Sequence, residues 1–226
     1  MEFVRSLFFY LLFYIWTIFY FVVFSQVRFF SKNFTIKIAE FWSVSIMKLA
    51  RWILFIDYKV EGKENIPDKP FIIASNHQSA WETFFLPIIF TRSVFVLKKN
   101  LKNIPIFRSY FKKLGFIYVD KDNGFSSMKS LLKNASNRVD NGVYSIIIFP
   151  EGTRVRPGEK KELSSGVSAI YKSLSIPVLP IRTNSGEFWV NKSFIKKRGR
   201  ISVKIYKPIM PGLNKEVLMK MLEEKL

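Results

Sequence analysis

The feature that most constrains the fold is an uncharged stretch of 22 residues near the start of the chain. It runs from Ser6 to Val27 and reads SLFFYLLFYIWTIFYFVVFSQV. A helix of this length can cross the hydrocarbon layer of a membrane, and a soluble core helix is rarely as long or as aromatic. A signal peptide is the alternative, but its apolar region is usually shorter and ends at a small-residue cleavage site. The sequence therefore predicts a retained N-terminal hydrophobic helical membrane anchor.

Charges beside this stretch predict its orientation. Arg28, Lys32 and Lys37 follow it, whereas Arg5 on its other side is balanced by Glu2. Because basic residues favour the cytoplasmic side of a membrane, the rest of the chain is expected on the cytoplasmic face of the inner membrane.

The next segment, Phe34 to Ile56, carries its charges on one side. At 100° per residue they fall within an arc of about 80°. The charged residues are Lys37, Glu40, Lys48 and Arg51. This pattern favours an amphipathic helix in the membrane interface, although a core helix with a narrow polar stripe would look similar. We therefore predict a membrane-anchoring helical segment over residues 1–56 and a separate domain over residues 57–226.

The second part of the chain predicts an α/β fold. Short apolar runs bounded by turn residues are typical of strands, and longer amphipathic runs of helices. Strands are expected at residues 58–60, 71–74, 93–97, 116–119, 144–149, 178–181 and 201–206. Helices are expected at residues 81–90, 125–139, 165–173 and 214–226. The alternation implies a mostly parallel central sheet flanked by helices.

Composition excludes several kinds of chemistry. The chain has no cysteine and one histidine, so a thiol nucleophile, a zinc cluster or another metal site is not expected. Lys and Arg total 36 against 17 Asp and Glu, a formal charge of +19. Such a surface favours nucleic acid, anionic lipid or a phosphorylated substrate, and the charge alone does not choose among them.

The only histidine, His77, lies in the stretch SNHQSAWETFF, five residues before Glu82. Residues five apart on one helix are rotated by about 140° and do not face each other. However, Ser79-Ala-Trp-Glu82 is a capping-box pattern, which places Ser79 at the N-cap and His77 before the helix. Glu82 could then accept a hydrogen bond from one ring nitrogen and leave the other as a base. An ordinary capped helix fits the same residues equally well.

A second polar motif, FPEGTR, occupies Phe149 to Arg154 after a predicted strand. Gly152 lets the backbone approach a ligand, and Arg154 can hold a phosphate through two parallel hydrogen bonds. Glu151 can accept from a hydroxyl group, which suits a sugar- or glycerol-phosphate. The alternative is a tight turn closed by an ion pair between Glu151 and Arg154.

The two motifs and the anchor together resemble the glycerolipid acyltransferase family, most closely its bacterial 1-acyl-sn-glycerol-3-phosphate acyltransferases. The resemblance runs from about Tyr58 to Pro211, with the blocks in the family's order. These blocks are NHQSAWE, VLKKNLKNIP, FIYVDKDN, FPEGTR and IPVLPI. The resemblance implies an enzyme of phospholipid biosynthesis that acylates the sn-2 hydroxyl of lysophosphatidic acid from a thioester donor, giving phosphatidic acid.

The resemblance also implies a role for each motif residue. His77 would take the proton from the acceptor hydroxyl, and Glu82, where relatives more often have Asp, would orient His77. The residues implied in binding the acceptor phosphate are Arg154, Lys98 and Lys121. Those implied in shaping the glycerol site are Glu151, Gly152 and Thr153.

Partners follow from the same resemblance. They are a lysophospholipid acceptor, acyl-CoA or acyl carrier protein as donor substrate, and anionic membrane lipids, with no nucleic acid and no cofactor. Two other functions stay open. One is an acyltransferase for another acceptor, such as glycerol-3-phosphate or a different lysolipid. The other is a non-catalytic basic membrane-binding protein. That function would not account for His77, Glu82 and FPEGTR.

Overall fold

The computed structural model describes residues 1–103, 105–120 and 124–226. Within these residues, seven strands form a sheet in which neighbouring strands are parallel, except for the antiparallel pair of the last two strands along the chain. The strands are β1 (Ile56–Glu61), β2 (Phe71–Ser75), β3 (Ser93–Lys98), β4 (Ile117–Val119), β5 (Ser145–Ile148), β6 (Val178–Thr183) and β7 (Gly199–Ile205). Their order across the sheet is β1-β7-β6-β2-β5-β3-β4. The predicted mostly parallel α/β sheet is confirmed.

Helices flank this sheet on both faces. They are α1 (Glu2–Val23), α2 (Lys32–Leu49), α3 (Trp81–Ile89), α4 (Pro105–Leu114), α5 (Gly124–Asp140), α6 (Gly166–Leu174), α7 (Ser185–Phe188) and α8 (Lys215–Lys225). A π-helical turn, Ala50–Leu54, continues α2 toward β1. Helices α4 and α7 were not predicted from the sequence, because α4 lies in a basic stretch and α7 is a single turn.

The central strands are buried on both faces because their side chains alternate between two hydrophobic clusters. In β2, Phe71 and Ile73 contribute to the cluster that contains α1, α2 and α3. The alternate residues of β2, Ile72 and Ala74, contribute to the cluster that contains α5, α6 and α8. This burial on both faces explains why the strands read as continuous apolar runs.

Helices α1 and α2 pack on the first face of the sheet. Phe9 of α1 and Trp42 and Ile46 of α2 are buried in the same cluster as the sheet residues. Polar residues of α1 also point inward, since Ser6 and Thr17 are buried. The two N-terminal helices thus share a core with the α/β part, and the domain boundary at residue 56 stays a prediction.

Both ends of α1 are held by the α/β part of the chain. The backbone N–H of Lys196 donates to Ser6 Oγ at 2.9 Å, and the hydroxyl of Tyr110 donates to the carbonyl oxygen of Phe24 at 2.7 Å. A helix of this length spans about 33 Å. A helix that crossed a bilayer would carry one end away from a domain on one side. The packing therefore fits a helix that lies along the protein.

The outward face of α1 is apolar and exposed. Its large exposed hydrophobic residues include Phe3, Leu7, Phe8, Leu11, Ile15, Ile18, Phe19 and Val22. By length and composition, α1 is also the one helix of the described part that could cross a membrane. An apolar helix with such a face indicates membrane association.

Candidate active site

Three adjacent strands, β2, β5 and β3, bring the polar motifs together at one edge of the sheet. His77 follows β2, Lys98 ends β3, and the FPEGTR loop follows β5. Because parallel strands end at the same edge, these groups face a common cleft of about 420 Å³. Predicted site residues that line the cleft are His77, Lys98, Gly152, Thr153 and Arg154.

Backbone hydrogen bonds fix His77 against the FPEGTR loop. Its N–H donates to Glu151 Oε2 at 2.8 Å, and its carbonyl oxygen accepts from the N–H of Val155 at 2.8 Å. The imidazole stacks on Phe149 with ring centroids 4.0 Å apart. The two motifs, which are distant in sequence, are thus joined by direct contacts.

The surroundings of His77 favour its neutral form. Burial, and then the positive charges of Arg154 and Lys98, lower the pKa of His77 from 6.5 to about 3. A neutral imidazole can accept a proton, as a general base must. Its Nδ1 atom is buried and makes no hydrogen bond with the described residues.

Glu82 is buried, and its carboxylate has several hydrogen-bond partners. Oε1 accepts from the N–H of Gln78 at 2.8 Å and from Ser185 Oγ at 2.7 Å. Oε2 accepts from Ser79 Oγ at 2.7 Å. Burial raises the pKa of Glu82, while these hydrogen bonds act in the opposite direction. The predicted bond between Glu82 and His77 is not among those that the described residues make, so their catalytic pairing stays a prediction.

The predicted N-cap of α3 is wrong by one residue. The helix begins at Trp81 with Ala80 as its N-cap, not Ser79. Ser79 Oγ accepts from the N–H of Trp81 at 3.0 Å, and Glu82 reaches back to the N–H of Ser79 at 3.1 Å. The expected break between His77 and the helix is present. The Ser79 hydroxyl supports this break, because it also donates to Glu82.

The predicted phosphate-binding residues differ in their placement. Arg154 and Lys98 are exposed at the cleft, and both affect the pKa of His77, so their charges act at the imidazole. Arg154 Nη1 donates to Asn191 Oδ1 at 3.3 Å. Lys121 lies outside the described residues. Phosphate binding by these three cations stays a prediction.

Glu151 holds the histidine loop, a contact the sequence did not suggest. Its carboxylate accepts the His77 N–H. Burial is the main cause that raises the pKa of Glu151 to about 7, and the charge of Glu82 adds to it. Its predicted contact with the glycerol group is not tested.

We expect Glu151→Gln to change the pH dependence of stability. A carboxyl group whose pKa is raised on folding stabilises the fold below its unfolded pKa, and this contribution is lost as pH rises through the folded pKa. Between about pH 4.5 and pH 7, the wild type should therefore lose about 1 to 2 kcal/mol of unfolding free energy relative to Glu151→Gln. This figure is discounted from the full shift because the group is partly exposed.

Denaturant unfolding at a series of pH values measures this difference. Glu159→Gln, in the same loop and exposed, serves as the matched control and should follow the wild type. Parallel pH profiles for the wild type and Glu151→Gln would contradict the expectation.

Three residues of the site were missed from the sequence. Ser185 bonds Glu82, Asn191 bonds Arg154, and Lys192 lines the cleft. They belong to the connection between β6 and β7, which carries no known motif. The position of Ser185 just after a buried strand was the available signal.

The described ranges contain no group of three or more His, Cys, Asp or Glu side chains placed to hold a metal ion. The prediction that the protein needs no metal or other cofactor is not tested by this observation.

A family model described as acyltransferase matches residues 57–184, more than half of the chain. This chain belongs to the acyltransferase family. It is 37% identical over 168 residues to a 1-acyl-sn-glycerol-3-phosphate acyltransferase of Pseudomonas aeruginosa, covering 74% of this chain and 65% of that protein. It is 32% identical over 168 residues to a Saccharomyces cerevisiae protein of the same name, covering 73% and 54%. The chain therefore spans less than two thirds of these curated relatives.

The fold of this acyltransferase is also similar to a solved relative. The crystal structure of the 1-acyl-sn-glycerophosphate (LPA) acyltransferase PlsC from Thermotoga maritima matches it with a TM-score of 0.80 at 26% sequence identity. The match covers 99% of this chain and 94% of that one. The predicted family and fold class are both confirmed, and the match includes the N-terminal helices of the acyltransferase.

Proposed function

We propose that this acyltransferase transfers an acyl chain from acyl-CoA or acyl carrier protein to the sn-2 hydroxyl of lysophosphatidic acid. The observation that carries the proposal is the cleft in which a neutral His77 lies beside two cations, Arg154 and Lys98. Such a cleft pairs a base for a hydroxyl group with a receptor for a phosphate. The printed names of the relatives support the same acceptor.

In the proposed reaction, His77 takes up one proton and later gives it back. The imidazole takes the proton of the acceptor hydroxyl as the oxygen attacks the thioester carbonyl carbon. The new C–O bond forms, the C–S bond breaks, and the departing sulfur takes the proton back from the imidazolium. No covalent acyl-enzyme is required, in keeping with a chain that has no cysteine.

The acceptor phosphate would also tune the base. After burial, the charges of Arg154 and Lys98 are the next causes that lower the pKa of His77. A bound phosphate would neutralise part of their charge, so the pKa of His77 would rise when the acceptor is in place. The imidazolium formed during the reaction would then be better tolerated in the complex than in the free enzyme.

An apolar cavity beside the cleft supports an acyl substrate. It has a volume of about 280 Å³ and is lined mainly by aromatic and aliphatic residues of α1, α2, α3 and α4. Residues shared by the cavity and the cleft are Thr83, Leu97, Leu101 and Arg154. The acyl chain of a substrate could therefore lie in the cavity while the carbonyl end of that chain reaches the cleft.

Membrane association fits this substrate. The apolar face of α1 would contact the bilayer, and the charge of +19 would attract anionic lipids. The basic residues after α1 support a location on the cytoplasmic face of the inner membrane. A lysophospholipid could then reach the site from the lipid layer.

An acceptor panel tests the proposal. Purified protein in detergent or vesicles would receive labelled acyl-CoA or acyl carrier protein with lysophosphatidic acid, glycerol-3-phosphate or a neutral lysolipid. We expect phosphatidic acid as the main product. Equal or better transfer to another acceptor would replace lysophosphatidic acid in the proposal, and no transfer with any pair would refute it.

A further inference from the structure

The connection between β6 and β7, residues 184–198, links parts of the protein that are distant in sequence. Almost all of it lies beyond the segment that the family model matches, residues 57–184. It contacts the histidine loop, the FPEGTR loop and helix α1. These contacts suggest a role that the motifs do not describe.

On one side, the connection supports the candidate site. Ser185 donates to Glu82, and Asn191 accepts from Arg154. The N–H of Gly186 donates to Gln78 Oε1 at 3.1 Å. Gly186 also packs so closely that an added Cβ would lie 2.9 Å from Cβ of Gln78. The connection is thus in tight contact with the loop that carries His77.

On the other side, the connection holds α1 through aromatic rings. Trp189 meets Phe9 edge to face with centroids 5.3 Å apart. Phe194 stacks on Tyr10 at 5.1 Å and approaches Phe3 at 5.5 Å. Aromatic pairs of this kind add a favourable interaction energy to the stabilisation that comes from burying their surface. The position of α1 and that of the connection therefore depend on each other.

Lys196, near the end of the connection, holds it to its middle part and to α1. The residue is only 4% exposed, which is rare for a lysine. Its ammonium group donates to the carbonyl oxygens of Val190, at 2.8 Å, and Ser193, so it closes the turn that carries Asn191. The ammonium nitrogen lies 5.7 Å from the ring centroid of Tyr10, and the backbone N–H of Lys196 donates to Ser6 Oγ. One buried cation thus ties the turn to α1.

We propose that the β6–β7 connection couples helix α1 to the acceptor-binding site, and that Lys196 is its positioning residue. Lys196 acts through the turn at Asn191, which in turn directs Arg154 toward the acceptor phosphate. The proposal rests on the proposed function, because it assigns phosphate binding to Arg154. It implies that the site is correctly formed only when α1 is docked.

Lys196→Met tests this coupling, because methionine keeps most of the side-chain length but cannot donate to Val190 and Ser193. We expect the KM for lysophosphatidic acid to rise about tenfold, which corresponds to a moderate interaction energy between Lys196 and the acceptor-binding site. The kcat should change less than about threefold. Lys196→Arg, which keeps the charge and the donors, should recover part of the loss. Lys197→Met, next in sequence and exposed, is the matched control and should behave as the wild type.

A second variant separates positioning from general damage. In an Asn191→Ala background, the further change of Lys196→Met should raise the acceptor KM by less than about twofold, since both changes act on the same path. Additive effects, or a folded Lys196→Met protein with wild-type KM, would overturn the proposal.

Hydrogen exchange provides a readout that does not depend on activity. Lys196→Met should speed amide exchange in residues 189–197 and at the start of α1, while exchange in β2 and β5 stays as in the wild type. If the wild type fails to acylate lysophosphatidic acid, the proposed function fails, and exchange alone judges the coupling. Unchanged exchange in both segments would then overturn it.

Discussion

Replacing His77 with alanine is expected to lower kcat for acyl transfer roughly a thousandfold, with the KM of each substrate changed much less. His77 is the only histidine of the chain, and its environment keeps the imidazole neutral. Alanine leaves no group at this place to take the hydroxyl proton. Steady-state rates with labelled acyl donor and lysophosphatidic acid, measured at saturating concentrations, would give the change in kcat.

The fold should survive this substitution. The hydrogen bonds that join position 77 to Glu151 and Val155 come from its backbone, so Ala retains them. Loss of the stacking on Phe149 costs packing, but the buried Nδ1 of His77 makes no hydrogen bond with the described residues that alanine would remove. A His77→Gln variant, which keeps more of the side-chain volume, controls for packing and should be equally inactive. A rate within tenfold of the wild type in either variant would contradict a catalytic role.

Arg154→Ala is expected to lower kcat/KM for lysophosphatidic acid about a hundredfold, mainly through a higher KM for the acceptor. A bidentate, charge-assisted bond to phosphate is among the stronger polar contacts, and removing it costs about 2 to 3 kcal/mol. The KM of the acyl donor should change less. Initial rates over a range of acceptor concentrations, at fixed ionic strength, measure both constants.

The same variant has a second expected signature. Arg154 is one of the charges that lower the pKa of His77, so its removal should raise that pKa. The acid limb of kcat/KM would then move toward higher pH in Arg154→Ala, whereas a residue with a purely structural role would leave the limb in place.

Arg156 provides the matched control for Arg154. It lies two residues further along the same loop and is exposed. Arg156→Ala changes the net charge by the same amount, so it reports the effect of charge alone on attraction of anionic substrates. Comparable losses in both variants would show that the acceptor responds to overall charge, and would remove Arg154 from the specific site.

Most of the fold could be predicted from local patterns. Every predicted strand overlaps a strand of the structure, since strands buried on both faces appear as short apolar runs between turn residues. Helices α3, α5, α6 and α8 also follow the predicted ranges within a few residues. Helix α4 was not predicted from the sequence, because its basic residues obscure the pattern of its apolar face. That face becomes evident only in the structure, where α4 packs against α2.

The candidate site was predictable in its parts and not in its contacts. His77, Lys98 and Arg154 do line one cleft, because the motifs follow strands that end at the same edge of a parallel sheet. Their hydrogen bonds are different from those expected. Glu82 bonds Ser79 and Ser185, and Glu151 bonds the backbone of His77. A carboxylate takes whichever donors the fold brings near, and spacing along the chain does not reveal donors from distant segments.

The sequence by itself determined the α/β class, the apolar N-terminal helix and the motif residues that belong to the acyltransferase family. These follow from periodicity, composition and short-range spacing, which act between near neighbours in the chain. Only the tertiary structure decided that both ends of α1 contact the α/β part, and that residues 184–198 link α1 to Glu82 and Arg154. The physical reason is that these contacts join residues far apart in sequence, so they form only when the sheet and its connections are packed together.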